Sequence, residues 1–141
     1  METSENPVKQ SYLYALELEQ GKYYVGWTTQ KDPQARIKQH KNGFLAAKWT
    51  QKYRPISTLE IRDIGVVSKS EAQAQEQQLT LEYMKQYGWQ NVRGGDLNYR
   101  GQYVKIGNRF FRPTDLKMLR DILVMLVLFA VAFIILLMQK K

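Results

Sequence analysis

Tyr12-Leu-Tyr-Ala-Leu-Glu-Leu-Glu-Gln-Gly-Lys-Tyr-Tyr-Val-Gly-Trp-Thr28 reads as two short strands and the turn between them. Tyr12, Tyr14, Leu16 and Leu18 alternate with Leu13, Ala15 and Glu17, and Gly21 marks the reversal. The length of the turn matters, because strand side chains change face with every residue. A two-residue turn at Gln20-Gly21 would pair Leu18 with Tyr23 and send Tyr14 and Tyr24 to opposite faces. A three-residue loop, Glu19-Gln20-Gly21 with the glycine at positive φ, pairs Leu18 with Lys22 instead. Tyr14 then faces Gly26 and lies diagonal to Tyr24, and the two phenols converge. Gly26 would leave open space beside them for a phosphate to approach the backbone. Tyrosines are also simply good strand formers, so the hairpin alone assigns no chemistry.

The following segments have clear local signals. Asp32-Pro33 opens a helix, with Asp32 as N-cap and Pro33 at its first position, and Asn42-Gly43 stops it. Arg36 and His40, four apart, share one face of it. Lys31 to Arg54 holds seven Lys/Arg against one acid, Asp32, with Trp49 and Tyr53 interleaved. Such a stretch is either a track for a nucleic-acid backbone or a solvated basic face. A third strand is expected around Thr58–Ile64. Ser68-Lys-Ser-Glu71 is a capping box, starting a helix that runs to about Gln86. Its apolar stripe comprises Ala72, Leu79, Tyr83 and Tyr87, and Glu76 lies in that stripe. A carboxylate facing a core is costly unless paired or bound to a cation. Arg36 is one candidate partner. Gly88 to Gly95 reads as a tight, glycine-rich turn carrying Asn91.

Tyr14, Tyr24-Val-Gly26, Thr28, Arg36, His40, Glu76 and Asn91, in that order, resemble the GIY-YIG nuclease family over residues 10–98. One departure is visible: Tyr12-Leu-Tyr14 stands where the family name has Gly-Ile-Tyr. Of that triplet the tyrosine carries the chemistry. The resemblance implies an α+β domain, a three-stranded antiparallel sheet flanked by helices. It also implies a phosphodiester-hydrolysing endonuclease acting on nucleic acid, DNA above all. Glu76 would hold one divalent cation, Mg²⁺ or Mn²⁺, and Arg36 would grip the phosphate. Tyr24 would serve as general base or orient the attacking water, with Tyr14 beside it. His40 would support the base, and Asn91 would hold the glutamate loop or a phosphate. A nucleic-acid-binding module without catalysis is the alternative. It would be expected to lose Glu76 or Arg36, and both are present.

Charge is unevenly placed along the 141 residues. Residues 1–98 hold 13 Lys/Arg and 11 Asp/Glu, and residues 99–141 hold 8 and 2. Most of the net charge of +8 therefore lies outside the expected domain. The absence of cysteine excludes disulfides and thiolate metal sites. Residues 1–9 are expected to form a polar tail without a secretory signal pattern. Residues 99–115 read as a basic juxtamembrane linker, with room for a short strand at Tyr103–Ile106. Residues 116–138 read as a transmembrane helix, followed by the tail 139–141. Its centre, Ile122 to Met138, is 17 residues without a charge, at the short end of a bilayer span. Lys105, Arg109, Arg112, Lys117 and Arg120 precede the run, and two lysines follow it. The positive-inside bias then predicts a C-terminal anchor with the N-terminal domain in the cytoplasm, its basic cluster against anionic headgroups.

Overall fold

The computed structural model describes residues 7–43 and 46–139, which fall into two compact units divided after Arg100. The first unit is built on β1 (Lys9–Leu18) and β2 (Lys22–Thr28). They are joined by the three-residue turn Glu19–Gly21, in which Gln20 and Gly21 both have positive φ, 62° and 64°. The register pairs Leu18 with Lys22, Leu16 with Tyr24 and Tyr14 with Gly26. Of the two turn lengths the sequence allows, the three-residue loop is the one adopted.

Helix α1 (Pro33–Asn42) starts at Asp32, whose side chain accepts from the Gln34 N–H, and ends at Gly43 with φ 73°. A five-residue helix, α2 (Lys48–Lys52), leads into β3 (Pro55–Val67), which pairs antiparallel with β1. Helix α3 (Lys69–Tyr87) carries the full capping box, Ser68 and Glu71 satisfying each other's backbone N–H groups. That reciprocity contributes about 1 kcal/mol.

The sheet differs from expectation. It has four strands in the order β3-β1-β2-β4 and is mixed, because β4 (Val92–Arg93) runs parallel to β2. Two residues carry no periodicity to read, so this strand is invisible to a pattern search. It forms because the chain returns from α3 through Gly88 and lays the Asn91 carbonyl against the Tyr23 N–H, at 2.8 Å.

Each face of the sheet buries its own cluster. Leu13, Ala15 and Val25 pack against Leu79 of α3. Tyr14, Leu16, Leu18 and Tyr24 pack with Ile37, Trp49 and Tyr53. Trp49 is 0% and Tyr53 8% exposed, so neither is a platform for stacking bases, as a basic-aromatic track would require. The indole of Trp49 lies 4.3 Å from the Arg93 guanidinium, itself fully buried. Arg93 donates to the carbonyls of Tyr99, Trp89 and Val92. Its replacement by alanine would strip donors from these carbonyls and open a void under Trp49. A loss of about 3–5 kcal/mol is expected by urea unfolding; an unchanged midpoint would refute this account of β4.

In the second unit a two-stranded hairpin, β5 (Val104–Ile106) and β6 (Arg109–Phe111), precedes helix α4 (Pro113–Gln139). The expected linker thus carries a hairpin, its first strand within the expected segment. Helix α4 is long and apolar enough to cross a membrane.

Candidate active site

Tyr14 and Tyr24 come from neighbouring strands and lie on the same face, their ring centroids 6.4 Å apart. His40, on the inward face of α1, completes a triangle with them: its ring is 5.7 Å from Tyr14 and 5.0 Å from Tyr24. Tyr14 Oη and His40 Nε2 are hydrogen-bonded at 2.8 Å, and both residues are 1% exposed. The space expected beside Gly26 is filled. A Cβ placed there would meet the Tyr14 hydroxyl oxygen at 2.5 Å, so the glycine makes room for the phenol rather than for a phosphate.

Arg36 lies one turn before His40 and is half-buried. Its guanidinium donates to Gln39 Oε1 at 2.9 Å, and its positive charge acts on the Tyr14 phenol. Gln39 in turn accepts from Gln30. The arginine is thus braced along its own helix.

Glu76 projects from the buried side of α3 and is 8% exposed. Its carboxyl is pushed up to about 7, first by burial, with the Asp96 carboxylate adding to the effect and the Gly95 N–H opposing it. Its charge acts on both tyrosines. Burial and the neighbouring charges hold Tyr14 far above the ordinary phenol range and push Tyr24 up to about 12. His40 is pulled down to about 4 by burial, then by Arg36. At neutral pH both phenols and the imidazole are therefore uncharged.

Asn91 sits apart from this cluster. Its Oδ1 accepts from Lys22 at 2.7 Å and its Nδ2 donates to the Tyr87 carbonyl at 2.9 Å. It ties the end of α3 to the start of β2. The asparagine whose side chain acts on a site phenol is Asn98, which opposes the upward push of burial on Tyr24. No pattern marked it, because Tyr24 lies 74 positions earlier and a loop asparagine is commonplace. Thr50, bonded to the far side of His40, was equally unmarked.

Residues 10–88 match the GIY-YIG catalytic domain, more than half of the chain. The protein belongs to the GIY-YIG family. Among its relatives, a UPF0213 protein of Streptococcus pneumoniae (strain ATCC BAA-255 / R6) is 36% identical over 66 residues, 47% of this chain and 62% of its own length. A UPF0213 protein of Syntrophus aciditrophicus (strain SB) is 30% identical over 69 residues, 47% of this chain and 77% of its own length. The match thus spans less than two thirds of the Streptococcus relatives' length. No solved structure matches the chain significantly. The GIY-YIG domain is a nuclease domain, and Tyr14 and Tyr24 both lie within the matched segment. Asn91 and Asn98 both lie beyond the matched segment.

Proposed function

We propose that this GIY-YIG protein is a membrane-anchored, cation-dependent endonuclease that hydrolyses phosphodiester bonds of DNA. The observation that carries the reading is the buried Tyr14–His40 hydrogen bond, with the Arg36 and Glu76 charges both acting on the same phenol. A divalent cation fits the residues present. Glu76 is a buried carboxylate under pressure from the Asp96 charge, an arrangement relieved by a cation. Among the described residues no cluster of three ligating side chains exists. Glu76 would therefore hold Mg²⁺ or Mn²⁺ with waters and the substrate phosphate. When bound, the cation supplies positive charge for the phosphate oxygens and the leaving oxygen.

The protein's own residues divide the remaining work. The attacking water gives a proton to Tyr14 Oη as the phenolic proton passes to His40 Nε2. A concerted transfer spares the site a free phenolate, which burial makes costly. His40, neutral above about pH 5, is available to receive the proton. Proton handling thus falls to Tyr14 rather than to Tyr24, since it is the Tyr14 hydroxyl that is hydrogen-bonded to His40 Nε2. Tyr24, on the same face, orients the water. Arg36 donates to the phosphate as charge develops. Lys31, Lys38, Lys41, Lys48, Lys52 and Arg54 are exposed and suit the sequence-independent tracking of a phosphate backbone.

The test is cleavage of duplex and branched DNA, and of RNA, by the full-length protein in detergent micelles, with and without Mg²⁺ or Mn²⁺. Cleavage that persists in EDTA would refute the cation requirement. Arg36→Lys keeps the charge but loses the planar fork, and should slow cutting roughly tenfold. An unchanged rate would remove Arg36 from the chemistry.

The excess of basic residues before the apolar run Ile122 to Met138 supports a cytoplasmic N-terminal unit. In sealed right-side-out membrane vesicles this unit should resist added protease. Its digestion there would reverse the proposed orientation.

A further inference from the structure

Thr50 is the third residue of α2 and is 1% exposed. Its Oγ1 lies 2.9 Å from the Ala47 carbonyl oxygen and 2.9 Å from His40 Nδ1. We propose that Thr50 is a positioning residue that holds His40 in the tautomer with its hydrogen on Nδ1, so that Nε2 stays free to accept the Tyr14 proton.

The argument is a count of hydrogens. A carbonyl oxygen can accept but never donate, so the Thr50 hydroxyl spends its one hydrogen on Ala47. Towards His40 the same oxygen can then act as acceptor alone, which requires a hydrogen on Nδ1. A neutral imidazole carries one N–H, so Nε2 is bare and the Tyr14 hydroxyl donates to it at 2.8 Å. Tyr14 thus gives its own hydrogen to His40. Every link runs one way, from Tyr14 through His40 and Thr50 to the α2 N-terminus. If His40 receives the Tyr14 proton it becomes an imidazolium, and its Nδ1–H still has Thr50 as acceptor. The reverse arrangement, with Thr50 donating to Nδ1, would turn an Nε2–H towards Tyr14 and leave no base there.

The consequence for rate rests on the nuclease reading, but the tautomer does not. His40 is the one histidine in the sequence, so its ring nitrogens can be observed without overlap. Long-range ¹H–¹⁵N correlation spectra of the ¹⁵N-labelled full-length protein in detergent micelles should show the hydrogen on Nδ1. Thr50→Val, which removes the hydroxyl at similar size, should shift the ring towards the Nε2–H form. It should also lower kcat roughly tenfold with KM little changed. Thr50→Ser should restore both the spectrum and kcat. An Nε2–H ring in the wild type would overturn the proposal. So would a Val variant with an unaltered tautomer, or a Ser variant as impaired as Val. A wild type with an Nδ1–H ring that cuts no nucleic acid would overturn the nuclease reading while upholding Thr50's hold on the tautomer.

Discussion

Glu76→Gln should abolish cation-dependent cleavage and, at pH 8 without cation, leave the protein more stable than the wild type. The two effects have one cause. Folding raises this carboxyl from an ordinary value of 4.5 to about 7, chiefly by burial. Between those values the folded chain holds a proton that the unfolded chain has released. Stability therefore falls as pH rises from about 4.5 to about 7, by roughly 3 kcal/mol in all. Glutamine keeps the shape without the charge and should be spared most of that loss. A bound cation would offset the same cost in the wild type, so added Mg²⁺ should stabilise it and not the variant. The proton and the cation also compete for one carboxylate. Activity should rise with pH towards 7, and higher cation concentration should move that limb to lower pH. Urea unfolding followed by tryptophan fluorescence suits the measurement, since Trp27, Trp49 and Trp89 all lie in the first unit. Equal cleavage by variant and wild type would sink the assignment of Glu76. A wild-type stability flat between pH 5 and 8 would sink the electrostatic account of its burial.

Gly26→Ala should cost on the order of 10² in cleavage rate, because a displacement of about 1 Å at a reacting group carries a penalty of that size. The added methyl would stand 2.5 Å from the Tyr14 hydroxyl oxygen and 2.6 Å from the ring carbon that bears it. Gly26 lies in the interior of β2, and its backbone φ is not in the positive range. The conflict is therefore steric and not conformational. Relief requires Tyr14 to move, and the 2.8 Å bond to His40 is lost or stretched. Overpacking should also destabilise the domain by about 1–3 kcal/mol. Combining Gly26→Ala with Tyr14→Phe separates these effects. If misplacement of the hydroxyl is the cause, the second substitution should add little to the kinetic loss. Full additivity of the two losses would point to a role for Gly26 unrelated to Tyr14.

Much of this protein was decided locally and could be read locally. Asp32, Gly43, Ser68 and Glu71 act on backbone groups within four positions of themselves, so the limits of α1 and α3 follow from the sequence. The convergence of Tyr14 and Tyr24 depended on one turn. Gly21 accepts the positive φ that a three-residue loop demands, and strand alternation does the rest. Glu76 announced itself as a carboxylate at an apolar position of a helix. Tertiary structure decided the rest, because the partners lie far apart in the chain and their meeting depends on sheet order and helix placement. Trp49 and Tyr53 could have faced nucleic acid, but they fill the space above Tyr14 and Leu16. Strand β4 exists through its pairing with β2, and Arg93 is buried through carbonyls and an indole that no nearby pattern predicts. The same holds for the site. Sequence placed His40 on one face of α1 with Arg36, but only the fold brought it to Tyr14, 2.8 Å away across 26 positions. Thr50 entered the site in the same way: its residue type is ordinary, and packing alone brought its side chain to His40.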